Sequence, residues 1–121
     1  MSERIRFIEH SAKAVLLIDF SHASKPDILA LLYKVQKTVS AQPQGSLLIL
    51  ADFDQAEIDR DVSTKMKEVL VLDRPYVKRA AWVGTDTLPK VFYENIKSFS
   101  RRELPIFNTR EEALEWLVSD E

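Results

Sequence analysis

Residues 49–66 run ILADFDQAEIDRDVSTKM, and the fold turns on how this stretch divides. Ile49–Ala51 close an apolar run that begins at Leu47. Apolar side chains on successive residues suit a strand covered on both faces, the usual state of a strand in a parallel sheet. The run ends in four aspartates, Asp52, Asp54, Asp59 and Asp61. Val62, Met66, Val69 and Leu70 then recur at helical spacing. The stretch is therefore a buried strand, an acidic loop and an amphipathic helix. Asp59 or Asp61 stands where a helix N-cap is wanted, with its acidic neighbours complementing the helix dipole.

Working outward, SLLILADF at 46–53 and KAVLLIDF at 13–20 have the composition of inner strands, and KRAAWVG at 78–84 of a third. RIRFI at 4–8 alternates charged and apolar residues, as a half-exposed edge strand does. The link EHSA is short enough for a hairpin, although it has no Gly or Asn to set the turn type. SKPDILALLYKVQKTVS at 24–40 predicts a helix. Ser24 with Asp27 resembles a capping box, Pro26 falls in the first turn, and Ile28, Leu31, Leu32, Val35 and Val39 make one stripe. The helix beginning near Val62 is expected to stop before Pro75. Leu88, Val91, Phe92, Ile96 and Phe99 mark a further helix, LPIF at 104–107 a short strand, and Thr109 with Glu112 a second capping box that opens a last helix. The order is β-β-α-β-α-β-α-β-α. It predicts a single α/β domain over 1–121, with a mostly parallel, mixed sheet and right-handed crossovers.

Composition narrows the function. The net charge is −2, which offers no general attraction to nucleic acid or anionic membrane. Cysteine is absent, which removes disulfides, thiol catalysis and thiolate metal sites and fits a cytoplasmic protein. The start MSERIRFIEH lacks the apolar segment of a secretory signal, and apolar runs such as AVLLI are far too short to span a bilayer. Gly45 and Gly84 are the only glycines, too few for a phosphate-cradling loop or dinucleotide fingerprint. No cofactor is expected.

The segments VLLIDFS, SLLILADF, RPYVKRAAWVG and ELPIFNTREEALEWL, taken in order, resemble the STAS-like proteins of bacteria. More narrowly they resemble the SpoIIAA-like branch, related in fold to anti-sigma-factor antagonists and to CRAL-TRIO lipid-transfer domains. The likeness covers nearly the whole chain and implies a STAS-like fold and a regulatory, non-enzymatic role. The antagonists carry a phosphorylatable serine in an Asp-Ser-Ser-Gly-type turn after the second inner strand. Ile58-Asp59 resembles the start of that turn, but Arg60, Asp61 and Val62 follow, with neither serine nor glycine. Ser63 and Thr64 come two or three residues late, inside the expected helix. A phosphate there would meet a favourable helix start but also Asp59 and Asp61. Helix capping is the expected role of the acidic residues.

Several other residues qualify as candidates. Asp19 and Asp52 close inner strands, at the edge where open parallel sheets bind ligands. They could share a proton, bind a cation, or simply accept loop N–H groups, and the last is expected. His10 and His22 lack metal-binding spacing and are expected at the surface. Arg74, Lys78, Arg79, Lys97, Arg101 and Arg102 give the second half a basic excess, suited to an acidic partner, a phospholipid headgroup or a helix C-terminus.

The leading expectation is an interaction module working through a protein partner or as a homodimer. Asp52, Asp54, Asp59, Asp61, Ser63 and Thr64 form its candidate contact surface. The alternative is a carrier or sensor of a small apolar, lipid-like ligand, in a pocket between the sheet and the 88–99 helix lined by Leu88, Val91, Phe92, Ile96 and Phe99. An enzyme built on Asp19 and Asp52 ranks last, for want of a third convergent polar group.

Overall fold

The structure, a computed structural model, describes residues 4–88 and 105–119. Its strands are β1 (Ile5–His10), β2 (Lys13–Asp19), β3 (Leu47–Asp52), β4 (Val77–Val83) and β5 (Ile106–Phe107). Its α-helices among the described residues are α1 (Lys25–Ser40), α2 (Arg60–Asp73) and α3 (Arg110–Val118). The strands form one five-stranded sheet in the order β1-β2-β3-β4-β5. β1 runs antiparallel to β2, and the remaining neighbours are parallel, so the sheet is mixed, as expected.

Alternation along the inner strands sends side chains to two cores. Leu16, Ile18, Phe20, Ile49, Ala51, Phe53, Ala80 and Trp82 meet the apolar stripes of α1 and α2 on one face. Val15, Leu17, Leu48, Leu50, Ala81 and Val83 meet Ala113, Leu114 and Leu117 of α3 on the other. Every residue of β3 is buried, which is why its sequence shows no polar alternation. Phe53 lies between Phe20 and Trp82, with ring centroids 5.0 and 4.5 Å away, and is 1% exposed. Truncating a buried aromatic of this kind costs about 3–5 kcal/mol.

The expected caps form. Ser24 Oγ accepts from Asp27 N at 3.4 Å, Asp59 Oδ1 from Val62 N at 2.9 Å, and Thr109 Oγ1 from Glu112 N at 3.1 Å. Each satisfies one of the orphan donors of a helix start. The hairpin turn is Ser11-Ala12, and both residues have positive φ (50° and 68°). A two-residue turn matching the strand twist demands that conformation, which glycine or asparagine adopts at lower cost.

α2 ends at Asp73, before Pro75 as expected, and a 3-10 turn, Arg74–Tyr76, continues from it with Pro75 in its first positions, where a missing N–H costs nothing. Leu104 of LPIF lies outside the described residues; Ile106 and Phe107 pair with β4, and Trp82 N donates to Pro105 O at 3.0 Å. The helix expected over 88–99 lies outside the described residues apart from Leu88, which is buried in the core on the α1 and α2 side.

Candidate functional site

β2 and β3 run parallel with Asp19 opposite Asp52, so the two carboxylates end adjacent strands side by side. Residues following these strands are stitched together by the backbone. Phe20 N donates to Asp52 O and His22 N to Asp54 O, both at 2.8 Å, and Glu57 N donates to Ala23 O at 3.1 Å. Side chains extend the seam. Glu57 Oε1 accepts from Lys25 N at 3.2 Å, and Lys25 Nζ stands 2.9 Å from carboxylate oxygens of both Asp59 and Asp61. The acidic stretch 52–61 is thereby held against the loop that enters α1.

Each strand-end carboxylate is engaged by its own loop. Asp19 Oδ1 accepts from both the amide and the hydroxyl of Ser21. Asp52 Oδ1 accepts from Asp54 N at 3.0 Å. Asp52 Oδ2 receives Arg110 Nε and Nη2, each at 2.8 Å, and Arg110 Nη2 lies 3.6 Å from Asp19 Oδ1. Arg110, the first residue of α3, crosses from the other face of the sheet to supply the charge between two carboxylates. It is the third polar group that the sequence expectation lacked, but it is a cation that offsets the charge of the pair and neither a nucleophile nor a base. Behind the pair, Gly84 has φ +71°, and a Cβ there would fall 2.5 Å from Asp54 N and 2.8 Å from Asp52 Oδ1.

The titration of these groups follows their contacts. Burial pushes the Asp19 carboxyl up, but the Ser21 hydrogen bonds together with the Arg110 and Arg4 charges outweigh it and hold the group below its ordinary value. The Val62 amide first, and Lys25 second, hold the Asp59 carboxyl down. Hydrogen bonds from Lys25 to Asp59 and Asp61 raise the Lys25 ammonium above its ordinary value.

The interaction candidates divide. Asp52 is buried and structural, whereas Asp54, Asp59 and Asp61 have side chains 54%, 46% and 68% exposed. Ser63 and Thr64 are in the opening turns of α2, Ser63 half-buried with its amide donating to Asp59 O, and Thr64 exposed. His22 is an exposed loop residue 3.7 Å from Asp54 Oδ2, and His10 sits at the end of β1, 2.8 Å from Glu115 Oε2. Among the described residues no group of three or more His, Asp or Glu side chains is placed to hold a metal ion. Arg79 is engaged at the end of α3. Its Nη1 donates to Trp116 O and to Ser119, and its guanidinium lies 5.1 Å over the Trp116 ring, so it closes the C-terminus of α3. Lys97, Arg101 and Arg102 lie outside the described residues.

Of the expected apolar-pocket residues Leu88 is a core residue, and Val91, Phe92, Ile96 and Phe99 lie outside the described residues. Among the described residues an apolar cavity of about 40 Å³ lies between the sheet and α1 and α2, bordered by Phe20, Phe53, Met66 and Trp82. That volume matches a few water molecules. No described helix is long and apolar enough to cross a membrane. No protein-family model matches the chain, and no curated protein is similar to it.

Proposed function

We propose that this chain is a small, non-enzymatic regulatory or protein-interaction module of the STAS-like type, without the phosphorylatable serine turn. Its contact surface is the acidic loop after β3 together with the start of α2. One observation carries this proposal: the strands follow one another across the sheet without reversal, and Arg110 fills the space between their terminal carboxylates. Ligand crevices in open α/β sheets form where strand order reverses and adjacent loops part to opposite faces. After β2 and β3 both loops lead to helices on the same face and are stitched together, so this edge is a filled surface and not a cleft. A filled surface bearing exposed, immobilised carboxylates suits contact with a basic protein surface better than turnover of a small molecule.

The test is cross-linking mass spectrometry on the chain expressed in its native cytoplasm, beside a variant with Asp54→Lys and Asp61→Lys. The expected result is a recurrent protein partner cross-linked near residues 52–64 and lost in the variant. Native mass spectrometry of the same sample supplies the opposing outcome. A lipid-sized adduct, with no partner at the acidic loop, would replace the interaction module with the apolar carrier.

A further inference from the structure

β1 ends the sheet, and among the described residues no strand lies beyond it. Its outward hydrogen-bonding groups can be assigned. Asp19 N donates to Arg4 O, so Arg4 faces β2, and in an antiparallel ladder facing residues recur at every second position. Arg6, Ile8 and His10 therefore turn their backbone groups towards β2, and Ile5, Phe7 and Glu9 turn theirs outward. Outward-facing backbone on a six-residue edge is a template for another strand. Phe7, 48% exposed, lies in the middle of it.

Side-chain faces follow from the same register. Ile5 packs on the α1 and α2 core and Ile8 on the α3 core, so the odd-numbered side chains of β1, Phe7 and Glu9 included, share the α1 side. On that side a groove of about 320 Å³ separates β1 from α1, lined by Arg4, Ile5, Leu31, Lys34, Lys37 and Thr38. Its lining carries cations and no carboxylate. The exposed carboxylate of the same face, Glu9, is at the other end of the strand.

We infer that β1 pairs antiparallel with β1 of a second copy about a two-fold axis through Phe7, joining two sheets into one and seating Glu9 of each copy at the Lys34–Lys37 groove of the other. A two-fold axis normal to the sheet keeps faces matched, so opposed residues must share parity. The register that centres Phe7 on its own counterpart sets Ile5 opposite Glu9 twice. All three outward-facing residues then form hydrogen-bonded pairs. Phe7 leaves water against an aromatic neighbour, and each groove receives the opposite charge. This inference concerns a different edge of the sheet from the acidic loop and does not depend on that surface having a partner.

The absence of native cysteine makes the register directly testable. Opposed residues of a hydrogen-bonded antiparallel pair have Cα atoms about 5.5 Å apart, within disulfide range. Two copies of residue 9 would be four residues out of register, roughly 14 Å apart. The full chain is expected to sediment as a reversible dimer. Phe7→Cys should oxidise to a covalent dimer, and Glu9→Cys should remain largely reduced. Glu9→Lys should weaken the dimer by roughly tenfold or more through like charges at the groove, and adding Lys34→Glu should restore it. A chain that stays monomeric across the concentration series overturns the inference. So does equal cross-linking at positions 7 and 9, or a dimer unmoved by Glu9→Lys.

Discussion

Arg110 and Asp52, 58 residues apart in the chain, meet with two guanidinium nitrogens 2.8 Å from one carboxylate oxygen. Asp52 is 8% exposed and Asp19 is its direct cross-strand neighbour, so without Arg110 two partly buried carboxylates would face each other with no cation bound to Asp52, and only the Arg4 charge near Asp19. Arg110→Ala should therefore destabilise the fold by about 2–3 kcal/mol, below the full cost of breaking a buried pair because the arginine is partly solvated. Arg110→Lys should recover part of that loss, since a point charge cannot reproduce the Nε and Nη2 contacts. Chemical denaturation of the three proteins measures both effects. Equal stability of wild type and Arg110→Ala would remove the strand-end ion pair from the account of this fold.

Asp19 makes stability depend on acid. Its folded pKa is depressed below the ordinary value of 3.8, so its contribution is fully present above the unfolded pKa and is lost as pH falls through the folded value. Asp19→Asn keeps the shape and an acceptor for Ser21 N but loses the charge. It should cost about 1 kcal/mol at neutral pH. It should also flatten the fall in melting temperature below the ordinary carboxylate range. Parallel acid limbs for the two proteins would assign the acid sensitivity to other groups.

Gly84 is required twice over, by its left-handed backbone and by the lack of room for a side chain. Gly84→Ala should destabilise by at least about 2 kcal/mol, since the backbone strain alone is worth 1–2 kcal/mol. The clash falls on the Asp54 amide and the Asp52 carboxylate, so amide exchange in residues 52–54 should rise more than elsewhere. Exchange rising evenly through the sheet would place the damage outside that contact.

The β1–β2 turn offers the opposite sign. Ala12 holds φ 68° with nothing but a methyl group to show for it. Ala12→Gly should stabilise the protein by about 0.5–1 kcal/mol, the relief of left-handed strain less the added entropy of an unfolded glycine. A lower melting temperature would mean that Ala12 makes a contact worth more than its strain.

The acidic loop is held by Lys25 on exposed carboxylates, a contact that salt screens. Lys25→Ala should leave global stability close to that of the wild type. Proteolytic cleavage or amide exchange within residues 54–61 should nevertheless accelerate. An unchanged loop would show that the backbone bonds from His22 and Glu57 suffice to hold it.

Local chemistry wrote much of this fold into the chain. Strands β2 and β3 were legible because burial on both faces demands continuous apolar runs. α1, α2 and α3 were legible because Ser24, Asp59 and Thr109 sit where an unpaired amide needs an acceptor. The positions of Asp19 and Asp52 at strand ends, and their use of loop amides, followed from the same local rules. What tertiary structure alone decided is which distant groups meet. Arg110 lies 58 residues from Asp52, beside a capping motif that explains its neighbours and gives no sign of a partner across the sheet. Arg79 reads in the sequence as one charge of a basic excess, and only the packing of β4 against α3 sets it beneath the last carbonyls of the helix. Periodicity and capping are properties of neighbouring residues and so are visible along the chain. The neutralisation of two strand-end carboxylates depends on strand register and on which face a helix covers, and those are fixed only when the whole sheet closes over its two cores.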